Sequence, residues 1–226
     1  MYNLTNFLAG YKSRFGPLTQ NLIDAITFLV NAFNGDARFP KGDTSRRKIA
    51  YILATFKWET AHTLMPIDEH GTAAYFEAHY GPQTATGRSI GNTHPGDGSL
   101  YHGRGYVQVT GRGNYARAAA FTHKDLVNHP ELMKDQQTSY DVCVNGMVTG
   151  IFTGKKLGDY IKDGHLPDFE NARRIINGLD KAQTIADLAR RFDEVLSFAM
   201  QPKMASVEPN SETVNALGGN DGDWNA

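Results

Sequence analysis

The side chains best suited to chemistry in this chain are carboxylates concentrated near its first third. Glu59 follows an apolar segment, and Asp68 and Glu69 come within the next ten residues. Two carboxylates spaced in this way can flank a scissile bond, one donating a proton while the other activates a water molecule. Glu77 is a third candidate for the second role. The spacing therefore indicates general acid–base chemistry, and it leaves the choice among Glu69, Asp68 and Glu77 open.

A predicted helix positions the first carboxylate. Its apolar stripe consists of Ile49, Ile52, Leu53 and Phe56. The next step of the same stripe is Glu59, and Pro66 is predicted to stop the helix. Because an ionised carboxylate on a buried stripe is unfavourable unless it has a partner, Glu59 is a candidate general acid. In the alternative interpretation, Glu59 ends the helix in solvent.

A glycine-rich segment follows the carboxylates. Along it, Tyr106, Gln108 and Thr110 alternate with two valines. This period of two predicts a β-strand with the valines on one face and the polar side chains on the other. Amide and hydroxyl side chains can hydrogen-bond the hydroxyl and acetamido groups of a sugar, although an edge strand with a solvated polar face is the alternative. Gln108 stands where a dinucleotide-binding loop requires its third glycine, which argues against a nucleotide site.

Helical scaffold is predicted for most of the remaining chain. Apolar residues recur at helical spacing over residues 19–33, 135–153 and 185–199. An aromatic-rich segment at 73–80 is predicted to form a short helix beside the cleft. The sequence thus predicts a mainly α fold with a small β element, forming one catalytic domain over residues 1–202. Residues 203–226 lack periodicity and are predicted to be a flexible tail.

Composition and charge limit the possible partners. The 226 residues carry a net charge of −1, so we expect no nucleic-acid partner. No apolar run approaches the roughly 20 residues that cross a bilayer, and residues 1–7 lack the features of a secretory signal. We therefore expect synthesis in the cytoplasm and release by other machinery. The single cysteine, Cys143, excludes an intramolecular disulfide and is predicted to be a small buried side chain.

Several motifs resemble the family 19 glycoside hydrolases, and in particular their phage endolysin and prophage branch. They are Trp-Glu-Thr-Ala-His at 58–62, Pro-Ile-Asp-Glu at 66–69, the glycine-rich segment at 101–115 and Arg-Arg-Ile-Ile-Asn-Gly at 173–178. The resemblance covers nearly all of residues 7–200. It implies a lysozyme-like helical fold with two lobes around an active-site cleft. It also implies hydrolysis of β-1,4 links in an N-acetylated amino-sugar polymer, with inversion at the anomeric carbon.

The same resemblance assigns roles to individual residues. Glu59 takes the position of the general acid, although Trp58 stands before it where many relatives have histidine. Glu69 takes the position of the base, with Asp68 and Glu77 as alternatives. Further side chains are expected to bind sugar or to orient the water: Gln108, Thr110, Asn177, His62, Tyr101 and Arg104. No metal ion or other cofactor is expected.

The expected substrate is bacterial peptidoglycan, cut by a monomeric endolysin that acts on the wall after release from the host cytoplasm. A chitinase on the same fold is the nearest alternative. A metal-dependent amidase or peptidase is a second, because histidines gather at positions 62, 70, 79, 94 and 102. None of them forms a His-Glu-x-x-His pair, which argues against that alternative. A non-catalytic glycan-binding module is the third.

Overall fold

Helices make up most of the computed structural model, which describes residues 1–202. The elements in chain order are α1 (Leu4–Phe15), α2 (Gln20–Gly35), α3 (Asp43–Glu59), β1 (Ile67–Asp68), α4 (Ala73–Tyr80), α5 (Ala85–Ser89), α6 (Asp97–Leu100), β2 (Arg104–Gly105), α7 (Arg112–Thr122), a 3-10 turn (Pro130–Lys134), α8 (Gln136–Thr149), α9 (Leu157–Tyr160), a 3-10 turn (Asn171–Ile175) and α10 (Ala182–Ala199). The predicted mainly α fold is confirmed. The predicted tail, residues 203–226, lies outside the described residues. None of the helices within residues 1–202 combines the length and apolarity needed to span a membrane.

Helix α3 lies at the centre of the molecule. Every residue from Ile49 to Lys57 is buried, so the helix is enclosed on all sides and not only along the predicted stripe. Its most extensive contact is with α10, which also packs against α1. Cys143 on α8 is likewise fully buried, as predicted, and burial raises the pKa of its thiol to about 12. A helix held this firmly gives its last residue, Glu59, a fixed position.

The end of α3 differs from the prediction. The helix ends at Glu59, seven residues before Pro66, so Pro66 is not what stops it. The Thr60 hydroxyl donates to the carbonyl oxygen of Phe56 at 2.7 Å and accepts from the backbone N–H of Leu64 at 3.0 Å. A threonine side chain bonded in this way competes with the backbone pattern of the helix. The chain therefore turns away directly after the candidate acid.

The small β element is present, but it lies earlier in the chain than predicted. Strands β1 and β2 are antiparallel, and Ile67 pairs with Gly105. The predicted strand over 106–110 is wrong, because residues 106–108 form a turn that a bridge between Arg104 and Val109 closes. Gln108 within it has a φ of 53°, which an extended strand does not allow.

Two groups of helices meet at this sheet. On one side, Tyr106 stacks on Phe56 of α3, with ring centroids 4.1 Å apart. On the other side, His102 stacks on Phe76 of α4 at 4.5 Å, and α4 packs against α5 and α6. The strands and their turn therefore connect the helical centre with a smaller lobe. This arrangement sets Glu59 on one lobe and the end of α4 on the other.

Candidate active site

Glu59 is paired with a buried arginine. Its Oε1 accepts a hydrogen bond from Nη1 of Arg173 at 2.6 Å, and the two side chains are 18% and 4% exposed. The Nε of Arg173 donates to the carbonyl oxygen of Asp180 at 3.0 Å, which fixes the guanidinium. Charge-assisted bonds of this kind are stronger than neutral ones. The carboxylate thus has the partner that its position on the apolar stripe requires, and one edge remains open to solvent.

The segment after Glu59 is a strained loop. Ala61, His62 and Leu64 have φ values of 48°, 70° and 55°, a region that side chains other than glycine rarely occupy. Such conformations persist only where the surroundings hold them, and they are common beside active sites. Thr60, which is buried, provides that support through its hydroxyl. The loop is therefore a fixed wall next to the candidate acid.

His62 lies on the exposed side of this wall and borders a groove of about 380 Å³. Asn21 and Leu22 of α2 and Ile67 of β1 also line this groove. Partial burial and the positive charge of Lys57 lower the pKa of His62. A neutral imidazole can donate through one nitrogen and accept through the other. The structure therefore leaves His62 available to a sugar hydroxyl.

Glu69 is held by neutral groups. Its Oε1 accepts from the Tyr80 hydroxyl at 2.9 Å, and its Oε2 accepts from the backbone N–H of Gly103 at 3.0 Å. The backbone N–H of Glu69 donates in turn to the carbonyl oxygen of Gly103 at 2.8 Å. Among residues 1–202, Glu69 takes part in no salt bridge. The carboxylate is therefore oriented without being neutralised.

Gln108 and Thr110 meet Glu69 over Gly103. A Cβ built on Gly103 would lie 2.9 Å from Gln108 Oε1, 3.0 Å from Glu69 Oε2 and 3.3 Å from Thr110 Oγ1. The orientation of the Gln108 amide is fixed by a hydrogen bond, in which its Nε2 donates to the carbonyl oxygen of Ile67 at 3.3 Å. The absence of a side chain on Gly103 lets these three polar oxygens approach one another closely. The turn thus brings together three side chains that the sequence pattern singles out.

Asp68 occupies a different environment from its neighbour Glu69. It lies 2.9 Å from Nε of Arg104, 2.7 Å from Nζ of Lys134 and 3.3 Å from Nε2 of His102. Burial alone would raise its pKa, but the hydrogen bond and charge of Lys134, followed by the charge of Arg104, outweigh burial and lower it. Such a cluster makes Asp68 a poor proton acceptor, which favours Glu69 as the base.

Glu77, the other alternative base, joins two helices of the smaller lobe. Its Oε1 accepts from the backbone N–H of Ser99 at 2.8 Å, which ties α4 to α6. This bond indicates that Glu77 joins α4 to α6, a structural role outside the active site. Of the three candidates for the second carboxylate, only Glu69 lies with Gln108 and Thr110.

Tyr101 and Arg104 lie behind the site, which corrects the expectation that they bind substrate. Tyr101 is 1% exposed, and its hydroxyl donates to the carbonyl oxygen of Val127 at 2.9 Å. Arg104 is 8% exposed, and its guanidinium is bonded to Asp68 and to the carbonyl oxygen of Leu100. The partners of both side chains are therefore other groups of the protein. Their contribution is to hold the sheet in place.

Asn177 stands on the acid side of the cleft. Its backbone N–H donates to the carbonyl oxygen of Arg173 at 3.0 Å, which keeps it one turn from the partner of Glu59. Its side chain is exposed, with Oδ1 accepting from the N–H of Gly178 at 2.8 Å. The Nδ2 of Asn177 therefore remains available to a ligand. Within the described residues, His, Cys, Asp and Glu nowhere form a group of three or more that could hold a metal ion.

Two residues of this site are not identified by the sequence pattern. Arg173 stands out only as part of a motif, and its partner Glu59 is 114 residues away, so spacing gives no signal for the pair. Tyr80 lies in the aromatic segment predicted to be a helix, but nothing in that segment distinguishes it from its aromatic neighbours. A buried arginine in a mostly apolar segment is the usable clue, because such a charge requires a partner.

Comparisons with known proteins identify the fold. The chain is similar to an acidic endochitinase of Petunia hybrida, with 31% identity over 140 residues, which is 55% of this chain and 48% of the petunia protein. The chain thus spans about half the length of the curated relative that it matches. No family model matches it.

Solved structures with the same fold are chitinases. A bacterial family 19 chitinase superposes with a TM-score of 0.52 and 19% identity, over 84% of this chain and 93% of the other. Chitinase C from Streptomyces griseus gives a TM-score of 0.53 and 17% identity, over 86% and 78% of the two chains. The lysozyme-like helical fold is confirmed. The resemblance to family 19 is supported by sequence and by fold, and the phage branch stays a prediction.

Proposed function

We propose that the protein is a glycoside hydrolase of the phage endolysin type, which cuts β-1,4-glycosidic bonds of bacterial peptidoglycan with inversion. The observation that carries the proposal is the convergence of Glu69, Gln108 and Thr110 over Gly103, beside a lobe that presents Glu59. The fold is that of the chitinase structures described above. The petunia relative is called an endochitinase, which supports the choice of a glycan substrate.

Glu59 acts as the general acid. Its proton passes to the glycosidic oxygen as the bond to the anomeric carbon breaks, and Glu59 becomes a carboxylate. The Arg173 guanidinium at 2.6 Å stabilises the carboxylate that this step produces. The ion pair therefore lowers the energy of the state after proton transfer.

Glu69 acts as the base. A water molecule between Glu69, Gln108 and Thr110 attacks the anomeric carbon from the face opposite the leaving oxygen, and its proton passes to Glu69. The hydroxyl of Thr110 donates to the carbonyl oxygen of Gln108 at 3.0 Å, so one of its lone pairs can accept from the water. Attack from the opposite face inverts the configuration at carbon. Asn177 and His62 contribute hydrogen bonds to the sugars.

Chitin is the alternative substrate, and the relatives favour it, because those found by sequence and by structure are called chitinases. Peptidoglycan is preferred because the motifs resemble the phage branch. In that setting the protein acts as a monomer that reaches the wall after release from the cytoplasm. Both substrates offer N-acetylated sugars joined by β-1,4 links, so the same site chemistry serves either.

Incubation with purified sacculi and, in parallel, with chitin oligomers distinguishes the two substrates. Mass spectrometry of the soluble products reveals either muropeptides or shorter chitin oligomers. We expect muropeptides with new reducing ends, and no release by the Glu59→Gln variant. Products from chitin alone would support the chitinase. Binding to sacculi without any product would support a glycan-binding module. Loss of activity after exhaustive chelation would support a metal-dependent enzyme.

A further inference from the structure

Tyr80 is placed to control the carboxylate that serves as the base. It is the last residue of α4, and its hydroxyl is 2.9 Å from Glu69 Oε1. The other oxygen, Oε2, is occupied by the Gly103 N–H at 3.0 Å. The two donors approach different oxygens, so together they fix the plane of the carboxyl group. Among residues 1–202, no other side chain donates to Glu69.

The structure fixes Tyr80 from both sides. Its carbonyl oxygen accepts from Nδ2 of Asn92 at 2.7 Å, and Asn92 is 2% exposed. The Oδ1 of Asn92 accepts in turn from the backbone N–H of Arg112 at 2.7 Å. The Tyr80 ring is parallel to that of Phe76, with centroids 6.4 Å apart. A tyrosine anchored through its backbone and its ring holds its hydroxyl at a defined point.

We propose that Tyr80 is a positioning residue that keeps Glu69 oriented and ionised for proton transfer from water. The inference rests on the proposed function, since it requires Glu69 to be the base. A hydroxyl that donates to a carboxylate favours its charged form, the only form that accepts a proton. Removal of the hydroxyl allows Glu69 to bind a proton more easily, so activity is lost at a higher pH.

The phenol remains a donor over the working range of pH. Burial, followed by the hydrogen bond and charge of Glu69, raises the pKa of Tyr80 to about 12. The hydroxyl therefore stays protonated from acidic to moderately alkaline pH. The bond couples the smaller lobe to the chemistry, because α4 carries Tyr80 and also packs against α6. It is thus a direct structural link between that lobe and the base.

The test is the pH dependence of hydrolysis by Tyr80→Phe, which keeps the ring and removes the hydroxyl. We expect kcat at neutral pH to fall by about tenfold, and the acid limb of the pH–rate profile to move upward by about one pH unit. We expect KM to change by less than about twofold, because Tyr80 acts through Glu69. Tyr75→Phe is the matched control on the same helix, since Tyr75 is exposed and contacts neither carboxylate.

A second comparison separates this inference from the proposed function. Glu69→Gln should lower kcat by about 10²–10⁴-fold. Adding Tyr80→Phe to it should cause no further loss in the residual rate, because residues acting as a unit are not additive. Wild-type activity in Glu69→Gln would show that Glu69 is not the base, and it would overturn the proposed mechanism and this inference together. An inactive Glu69→Gln beside an unshifted profile in Tyr80→Phe would overturn the inference alone. A change confined to KM would make Tyr80 a substrate contact and would also overturn it.

Discussion

The two candidate carboxylates are held by partners of different character. Glu59 is paired with the buried guanidinium of Arg173, whereas Glu69 accepts from the neutral Tyr80 hydroxyl and the Gly103 N–H. A positive partner stabilises the carboxylate form of Glu59 that proton transfer to the glycosidic oxygen produces. Neutral donors orient a carboxylate and leave its charge free to attract a proton, so they suit the base. The difference between the two sets of partners thus agrees with the proposed roles of Glu59 as general acid and Glu69 as base.

Removal of either carboxylate tests this division most severely. Glu59→Gln and Glu69→Gln should each lower kcat by about 10²–10⁴-fold, the usual contribution of a general acid or base. In Glu59→Gln the new amide oxygen can still accept from Arg173, so thermal unfolding should stay near that of the wild type. Initial rates on sacculi and melting curves make the measurement. If either variant keeps its activity within tenfold of the wild type, the carboxylate replaced in it is neither the general acid nor the base.

A methyl group at Gly103 tests the base side alone. In Gly103→Ala the new Cβ lies 2.9–3.0 Å from oxygens of Gln108 and Glu69, so these side chains must move. We expect kcat to fall by about 10²-fold, as displacements near an ångström can cause. Gly158→Ala is the matched control, because nothing lies within 4 Å of its added methyl group. Equal activity in the two variants would show that the positions of Gln108 and Glu69 over Gly103 do not matter for catalysis.

Replacing the arginine tests the acid side. Arg173→Met leaves Glu59 without its partner and the carbonyl oxygen of Asp180 without its donor. We expect the free energy of unfolding to fall by about 3 kcal/mol, since breaking a buried ion pair is costly. Urea denaturation makes the measurement, and Tyr80→Phe serves as the comparison, with a much smaller loss. An unchanged unfolding midpoint in Arg173→Met would contradict the difference between the two sites.

A third carboxylate, Asp97, is paired with an arginine outside the candidate active site, and the pair contributes to stability. Asp97 is 1% exposed and accepts two bonds from Arg112, at 2.6 and 2.9 Å. Burial alone would raise its pKa, but the Arg112 bonds and the backbone N–H groups of Thr93 and His94 lower it from 3.8 to about 2. Its contribution to stability is therefore complete above about pH 4 and is lost as the pH falls toward 2.

Asp97→Asn should remove that contribution. We expect the variant to be less stable than wild type by about 2 kcal/mol at neutral pH, and the difference to shrink as the pH falls from about 4 to 2. Urea denaturation at a series of pH values measures it. A difference that stays constant down to pH 2 would show that the ionised carboxylate is not the source. Activity at neutral pH should change little, because Asp97 is bonded to Thr93, His94 and Arg112 and not to Glu59 or Glu69.

Sequence reasoning was most successful where a single helix carries the signal. The apolar stripe of α3 predicted that Glu59 continues the buried face of the helix, and its side chain is 18% exposed, because period and burial are local properties. It predicted the wrong end for that helix, since the bonds made by the Thr60 hydroxyl leave no signal in hydrophobic spacing. The alternation at 106–110 misled in a similar way, because a turn with a positive φ at Gln108 also alternates in polarity.

Contacts distant in the sequence were the least predictable part of the site. The pairing of Arg173 with Glu59 and of Tyr80 with Glu69 depends on how the lobes pack, which no local pattern encodes. The same limitation explains Tyr101, whose aromatic and polar character fits a sugar site as well as a core. Only its 1% exposure identifies it as core. The sequence therefore identifies the candidate carboxylates, but it does not identify the side chains that bond to them.

The stereochemistry of hydrolysis tests the central claim most directly. Proton NMR during the first minutes of the reaction on a soluble β-1,4-linked N-acetylated oligosaccharide reports the configuration of each new reducing end before mutarotation. With Glu59 as acid and Glu69 as base, the α-anomer should appear first, because water attacks the face opposite the leaving oxygen. Initial appearance of the β-anomer would mean retention of configuration and would contradict the account.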